Sequence, residues 1–139
     1  MSIEERQQEL INEFSMLGEW MEKYEYIIEL GREMTPLAEI DKTEDHLIRG
    51  CQSRVWLKSQ LSADGLLHFQ GDSDAVITKG LVALIIRVYN GQNPKAILAN
   101  EPHFIRDIGL QQHLSPTRSN GLASMVKKIR DCALASSLS

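Results

Sequence analysis

The sequence has few cysteines, no long apolar run and no strongly basic tract, and each absence excludes a class of protein. Its two cysteines, Cys51 and Cys132, are too few for the disulfide framework of a small secreted protein. No apolar run reaches the roughly 20 residues of a membrane span, and residues 1–6 are too polar for a signal peptide. The 15 lysines and arginines are outnumbered by 19 carboxylates. We therefore expect a cytoplasmic protein that binds neither a membrane nor nucleic acid.

Motifs for metals and cofactors are also missing. The four histidines, His46, His68, His103 and His113, form no pair with metal-ligand spacing, and the two cysteines are far apart in the chain. The glycines are too scattered to form a phosphate-binding loop. We therefore expect no metal and no resident cofactor.

The hydrophobic pattern of the first third predicts helices. Ser2 and Glu5 have the spacing of a capping box, which marks a helix start. Apolar residues continue at helical spacing as far as residue 30, and Gly18 marks a kink or a break into two helices. Gly31 is expected near the end of the second helix. No repeat or linker divides the chain, so we expect a single domain over residues 1–139.

The middle of the chain changes to the alternating pattern of strands. Residues 54–60 alternate, the Ala-Asp-Gly at residues 63–65 is a turn signal, and residues 66–70 form a second short strand. Residues 46–49 are expected to form a third strand at one edge. The sequence thus predicts a small three-stranded antiparallel sheet.

Helical periodicity returns after residue 71. We expect Asp72, Ser73 or Asp74 to cap an apolar, central helix, followed by short helices from residue 94 and over residues 102–109. A last helix is expected to begin at Ser115-Pro116. The predicted class is therefore α+β, with helices packed against the antiparallel sheet.

The two cysteines have different surroundings. Cys132 lies on the apolar stripe of the last predicted helix, where a cysteine behaves as a small hydrophobe. Cys51 lies on a polar loop between Gly50 and Gln52, with arginines two residues before and three residues after it. A nearby arginine favours the thiolate, which is the nucleophilic form. Cys51 is therefore the candidate reactive thiol, although an inert loop cysteine would have the same sequence.

The residues around such a thiol limit the reactions that it can carry out. A cysteine hydrolase needs a base and an orienting group beside the thiol, and no histidine here belongs to such a signature. A thiol without base, metal or cofactor suits exchange between sulfur atoms.

Residues 49–56, around Cys51, read RGCQSRVW. This segment resembles the G-C-Q-S-x-V-W signature of the SufE family, whose members accept sulfur from PLP-dependent cysteine desulfurases of the SufS and CsdA types. The family's common glutamine after Ser53 is Arg54 here. The other three blocks follow in family order: residues 24–31 (YEYIIELG), residues 71–75 with 79–81 (GDSDA and KGL), and residues 114–122 (LSPTRSNGL).

The resemblance implies a fold shared with the IscU-type Fe–S scaffolds and a role in sulfur transfer. Cys51 would take sulfur from the desulfurase as a persulfide and pass it to a downstream Fe–S scaffold. PLP would belong to the partner. A cluster would need three cysteines, so assembly on this chain is not expected. Monomer and homodimer both remain open.

The resemblance also implies supporting roles around the thiol. Gly50 would give the loop its turn, and Gln52 and Ser53 would donate hydrogen bonds to the thiolate or persulfide, with plain solvation of the loop as the alternative. Arg118 would act near Cys51 or at the partner surface, or else hold its helix by a salt bridge. Arg54 would alter docking.

Two other functions remain compatible with the sequence. A CsdE-like branch would feed a different pathway, such as tRNA modification. A pure binding regulator would activate the desulfurase by docking alone. Both sulfur-transfer functions, for Fe–S assembly and for the CsdE-like branch, require a persulfide that is sheltered from small thiols. We therefore expect the Cys51 sulfur to be turned inward in the free protein and the pKa of its thiol to be raised by burial. The loop is expected to swing out on docking.

Overall fold

The computed structural model describes residues 1–138. Helices precede and follow a central hairpin in the chain. The elements in chain order are α1 (Ile3–Ser15), α2 (Trp20–Glu33), β1 (Val55–Leu61), β2 (Leu67–Ser73), α3 (Val76–Tyr89), α4 (Pro94–Ala99), α5 (Phe104–Ile108), α6 (Leu110–His113) and α7 (Pro116–Ser137). Two 3-10 turns, Glu39–Asp41 and Glu44–His46, interrupt the connection from α2 to β1. The α+β class is confirmed.

The predicted helix starts are confirmed where polar caps mark them. The Ser2 hydroxyl accepts the backbone N–H of Glu5, and the Glu5 carboxylate accepts that of Ser2, so the capping box is complete. The Ser115 hydroxyl caps α7 by accepting the backbone N–H of Arg118. Gly18 lies in the break between α1 and α2, and Gly31 lies two residues before the end of α2, as predicted.

The sheet has two strands, so the prediction of three is wrong. β1 and β2 pair antiparallel from Val55 with Ser73 to Leu61 with Leu67. The candidate third strand at residues 46–49 makes a single bridge, Leu47 with Trp56, in the described part of the chain. A 3-10 turn precedes this bridge, and Gly50 turns the chain away after it, so the segment is too short to continue the ladder.

The predicted caps of α3 are also wrong. β2 continues through Ser73, and α3 begins after Ala75, which makes no side-chain cap hydrogen bond. Asp72 is buried and accepts the backbone N–H groups of Leu37 and Ser73. Asp74 accepts the backbone N–H of Arg54. Both carboxylates therefore hold loops to the hairpin.

The core forms around α3, which is buried along most of its length. α3 packs against α2, against β2 and against α7. The approach to α2 is close, since a Cβ on Gly31 would lie 2.7 Å from the backbone nitrogen of Gly80. Within residues 1–138 no helix is both long and apolar enough to cross a bilayer. This packing fixes α3 and α7 as the two walls that face the loop between Gly50 and Arg54.

Candidate functional site

The loop that carries Cys51 enters β1 through a tight turn. Ile48 donates its backbone N–H to the carbonyl of Val55 at 2.8 Å, and the chain then reverses at Gly50. The φ of Gly50 is +92°, a left-handed conformation that glycine adopts without steric cost. Gly50 therefore gives the loop its turn, and Cys51 follows directly.

The Cys51 thiol is half-buried against the start of α7. Its Sγ lies 3.7 Å from the carbonyl oxygen of Gly121, to which the thiol donates. Burial raises the pKa of the Cys51 thiol. The predicted direction is thus confirmed, and the expectation that the flanking arginines favour the thiolate does not hold in the free protein. The resting thiol is mainly neutral at pH 7.

A cavity of about 380 Å³ opens beside this thiol. It lies between the Cys51 loop, the first turns of α3 and the first turns of α7. Its lining residues are Cys51, Gln52, Ser53, Ala75, Ile77, Thr78, Leu81, Ser115, Thr117, Arg118, Gly121 and Met125. The set combines apolar side chains with hydroxyl groups and, among the described residues that line it, one charged group, Arg118.

Arg118 is held at this cavity by an aromatic side chain. Its guanidinium donates to the hydroxyl of Tyr24, and its Cζ lies 5.7 Å from the centroid of the Tyr24 ring. Within residues 1–138 the guanidinium forms no ion pair with a carboxylate, so the salt bridge weighed as an alternative is not what holds α7. Tyr24 therefore links α2 to the site.

Gln52 and Ser53 line the same cavity, as the sequence suggested. Gln52 is exposed and Ser53 is half-buried. In the described part of the chain neither side chain donates a hydrogen bond to the Cys51 sulfur. Their role toward a persulfide stays a prediction.

The histidines lie elsewhere. His46 is 2.6 Å from the carbonyl of Asp41, and His113 stacks on Trp20 with the ring centroids 4.3 Å apart. His103 lies between the carboxylates of Glu4 and Asp107, and His68 is an exposed residue of β2. None of them is among the described residues that line the Cys51 cavity. The base and orienting group of a cysteine hydrolase are thus not at this thiol.

Cys132 and Cys51 are separate. Cys132 packs against the hydrophobic core, as predicted, 11 residues beyond Gly121 on α7, or about 16 Å along the helix axis. Within residues 1–138 no three His, Cys, Asp or Glu side chains group into a metal site. The site thus offers a thiol, a cation, hydroxyl groups and apolar walls.

Several residues of the site were not identified from sequence. Thr78 and Met125 line the cavity from the interior of two helices, where nothing local distinguishes them from core residues. Gly121 could have been identified from the sequence, since a glycine inside a helix lowers stability and often marks a place where another group approaches the backbone closely. Tyr24 lay in a recognised block, but its contact with Arg118 spans 94 positions.

Comparison with known proteins agrees with this arrangement. The family whose model matches the chain is SufE, described as a Fe-S metabolism associated domain, and the match covers residues 8–133. Among solved structures, the chain is similar to the solution structure of a hypothetical protein from Thermus thermophilus. The TM-score is 0.78 at 18% sequence identity, over 96% of this chain and 97% of that chain. At this identity the likeness shows a shared fold.

Proposed function

Since the chain belongs to the SufE family, we propose that it accepts sulfur from a PLP-dependent cysteine desulfurase and passes it on for Fe–S cluster assembly. The family is associated with Fe–S metabolism. The observation that carries the proposal is the half-buried Cys51 thiol beside a cavity that also receives the Arg118 side chain. This arrangement suits a sulfur atom that must be stored between two transfers.

The proposed transfer is an exchange between sulfur atoms. The Cys51 thiol gives its proton to solvent on docking, and the thiolate attacks the terminal sulfur of a persulfide on the desulfurase cysteine. A new S–S bond forms on Cys51 as the S–S bond of the donor breaks. The donor leaves as a thiolate, so the charges balance and no external oxidant or reductant is needed. A second exchange hands the terminal sulfur to a downstream acceptor, proposed to be an Fe–S scaffold.

The cavity has the properties needed to shelter the product. An S–S bond is about 2.05 Å long, so the terminal sulfur of a Cys51 persulfide would fit well within about 380 Å³. Ile77, Leu81 and Met125 would keep small thiols away from it, because exchange requires access to the sulfur. Arg118 supplies positive charge for an anionic persulfide at the same cavity.

The chain would need no cofactor of its own in this mechanism. PLP would be bound by the desulfurase, which generates the persulfide from L-cysteine. The thiol and the sulfur it carries supply all the bonds that change on this chain. We propose that the purified protein contains no stoichiometric zinc or iron, which elemental analysis can measure directly.

The test is to incubate the protein with a SufS-type or CsdA-type desulfurase, PLP and L-cysteine, and to locate added sulfur by peptide mass spectrometry. We expect persulfide on Cys51. Cys132→Ala should retain the transfer, and Cys51→Ser should abolish it. Sulfur on Cys132 with an unmodified Cys51 would overturn the assignment. If Cys51→Ser still stimulates the desulfurase, the chain acts as a binding regulator instead.

A further inference from the structure

The charged side chain at the Cys51 cavity is held by a neutral partner. The Arg118 guanidinium donates to the hydroxyl of Tyr24 and lies over the Tyr24 ring, with Cζ 5.7 Å from the ring centroid. Among the residues that the structure describes, no carboxylate pairs with Arg118. A carboxylate would offset the positive charge, whereas a phenol fixes the guanidinium and leaves its charge available. The contact therefore holds a cation in place without cancelling its charge.

Arg118 is fixed at both ends of its side chain. Its backbone N–H donates to the Ser115 hydroxyl at 3.3 Å, which places the residue in the first turn of α7. Its guanidinium is fixed by Tyr24, which lies 94 positions away in the chain. An exposed arginine otherwise samples many rotamers, and the contact with Tyr24 selects among them. The position of the charge at the cavity thus depends on Tyr24.

Tyr24 is itself held by a tightly packed part of the fold. Its half-buried ring packs against the hydrophobic core from α2. One turn later Ile27 is fully buried, and a Cβ added to Gly80 on α3 would lie 2.2 Å from the Ile27 carbonyl oxygen. The backbones of α2 and α3 are therefore in close contact here, which limits their relative movement. A hydroxyl on such a helix gives the Arg118 guanidinium a fixed point of attachment.

The unloaded Cys51 thiol does not engage this charge. The thiol donates to the carbonyl of Gly121 at 3.7 Å, and within residues 1–138 its sulfur forms no hydrogen bond with Arg118. Arg118 lies one turn before Gly121 on α7 and lines the same cavity as the thiol. A persulfide places a second sulfur about 2.05 Å beyond the first. The charge at the cavity is therefore available to the loaded form of Cys51.

We propose that Tyr24 is a positioning residue for sulfur storage, holding the Arg118 guanidinium for the terminal sulfur of a Cys51 persulfide and not for the unloaded thiol. The inference rests on the proposed function, in which Cys51 stores sulfur in this cavity. An opposite charge favours the ionised form of a nearby group, so the fixed guanidinium stabilises the persulfide anion. The neutral thiol gains nothing from it. The pair of Tyr24 and Arg118 thereby distinguishes the loaded protein from the empty one.

The test compares the persulfide and the thiol of Cys51 in the Cys132→Ala protein. Sodium tetrasulfide loads the persulfide without a desulfurase. The Cys51 thiolate attacks a terminal sulfur, an S–S bond forms on Cys51 and trisulfide leaves, so atoms and charges balance. Iodoacetamide alkylation of the loaded and the unloaded protein is then followed against pH by intact-protein mass spectrometry. The midpoint of each profile reports the ionisation of the reacting sulfur, because the ionised form is the nucleophile.

Tyr24→Phe removes the hydroxyl and keeps the ring. We expect the midpoint of the persulfide profile to rise by roughly 0.5–1 pH unit and the midpoint of the thiol profile to stay within roughly 0.2 unit. Arg118→Gln should raise the persulfide midpoint at least as far. The double variant should shift it no further than Arg118→Gln alone, because the two residues act as one unit. A general disturbance of the loop would instead move both profiles together.

Tyr26→Phe is the matched control. Tyr26 is a half-buried tyrosine of the same helix, and its hydroxyl donates to Glu13 instead. Its loss should leave both midpoints unchanged. If Tyr24→Phe does not move the persulfide midpoint, or moves the thiol midpoint equally, Tyr24 does not position the charge. An unchanged persulfide midpoint in Arg118→Gln would overturn the inference as well. If the expected shifts appear after tetrasulfide loading but a desulfurase never loads Cys51, the proposed function fails and this inference stands.

Discussion

Gly50 and Ser124 approach so closely that any side chain at position 50 would displace the Ser124 hydroxyl. A Cβ added to Gly50 would lie 2.6 Å from the hydroxyl oxygen of Ser124 on α7. One turn earlier on the same helix, a Cβ at Gly121 would lie 3.6 Å from the Cys51 sulfur. The Cys51 loop therefore packs against two small residues of α7, Gly121 and Ser124, and this contact keeps the thiol half-buried.

Gly50→Ala should lift the loop from α7. The added methyl group meets Ser124, and alanine is strained at a φ of +92°. We expect a loss of about 1–3 kcal/mol in the free energy of unfolding and faster alkylation of Cys51. Urea titration and iodoacetamide kinetics measure the two effects.

Gly65→Ala is the control that separates backbone strain from the contact with Ser124. Gly65 has a φ of +82° in the hairpin turn, and nothing lies within 4 Å of an added Cβ. It should lose stability without any change in Cys51 alkylation. If Cys51 is alkylated at the same rate in Gly50→Ala and in the parent protein, packing of the loop against α7 is not what shelters the thiol.

The pH dependence of alkylation reports the burial of Cys51 directly. Burial raises the pKa of the thiol, so less thiolate is present at a given pH than in an unfolded peptide. We expect iodoacetamide to react more slowly with the folded protein at pH 8, and the rate profile to shift to higher pH. The measurement uses Cys132→Ala, which leaves Cys51 as the remaining thiol. A rate equal to that of the peptide would show that the shelter does not exist.

The sequence predicted those parts of the fold that local interactions determine. The capping box at Ser2 and the Ser115-Pro116 helix start depend on contacts within one turn, and both are confirmed. Asp72 shows the limit of such reasoning. Its position before a helix suggested a cap, but its carboxylate accepts the backbone N–H of Leu37, 35 positions away. Local sequence gives no sign of that contact.

The site was predictable to a similar extent. Cys51 and Gly50 were identified because the motif is contiguous. The prediction of an edge strand at residues 46–49 was wrong because the pattern of apolar and polar residues cannot show that the positive φ of Gly50 ends the pairing after one bridge. The cavity wall depends on where α3 and α7 meet the loop, and only the tertiary structure brings Thr78 and Met125 to the thiol.

Gly121→Ala should increase stability at the expense of sulfur storage. Alanine is favoured over glycine in a helix interior by about 1 kcal/mol, and the new Cβ makes only an ordinary contact with the Cys51 sulfur. Space beside the sulfur would nevertheless be lost. We expect a higher midpoint of urea unfolding and a lower yield of Cys51 persulfide. An unchanged yield would mean that the terminal sulfur does not lie toward α7.

Asp72→Asn should destabilise the protein at neutral pH and less so in acid. Burial raises the pKa of Asp72, but the backbone N–H groups of Ser73 and Leu37, with Lys79 and Lys42 at 3.5 Å, outweigh it and lower the pKa overall. A lowered folded-state pKa stabilises the protein above the ordinary value near pH 4, and the effect is lost as pH falls through the folded pKa.

We expect a loss of about 1–3 kcal/mol at pH 7 for Asp72→Asn, shrinking toward pH 3, as measured by urea unfolding. Asp131→Asn removes an exposed pair with Lys127 and should cost less than about 1 kcal/mol. A loss for Asp72→Asn that is the same at pH 7 and pH 3 would show that its charge is not what matters.

Docking should release the Cys51 loop from α7. The thiol must reach the donor's persulfide, yet in the free protein it faces Gly121 and a cavity within the protein. The loop touches α7 through small residues, so few apolar contacts are lost when it leaves, and Gly50 already has the backbone freedom of a hinge.

Hydrogen exchange with an inactive desulfurase should therefore change over residues 49–54 far more than in α3 around Leu84, which is fully buried. Ser124→Leu should favour the released loop even without the partner, because the larger side chain fills the space beside Gly50. Equal changes in the loop and in α3 would instead indicate a rearrangement of the whole core, and the loop would not be the moving part.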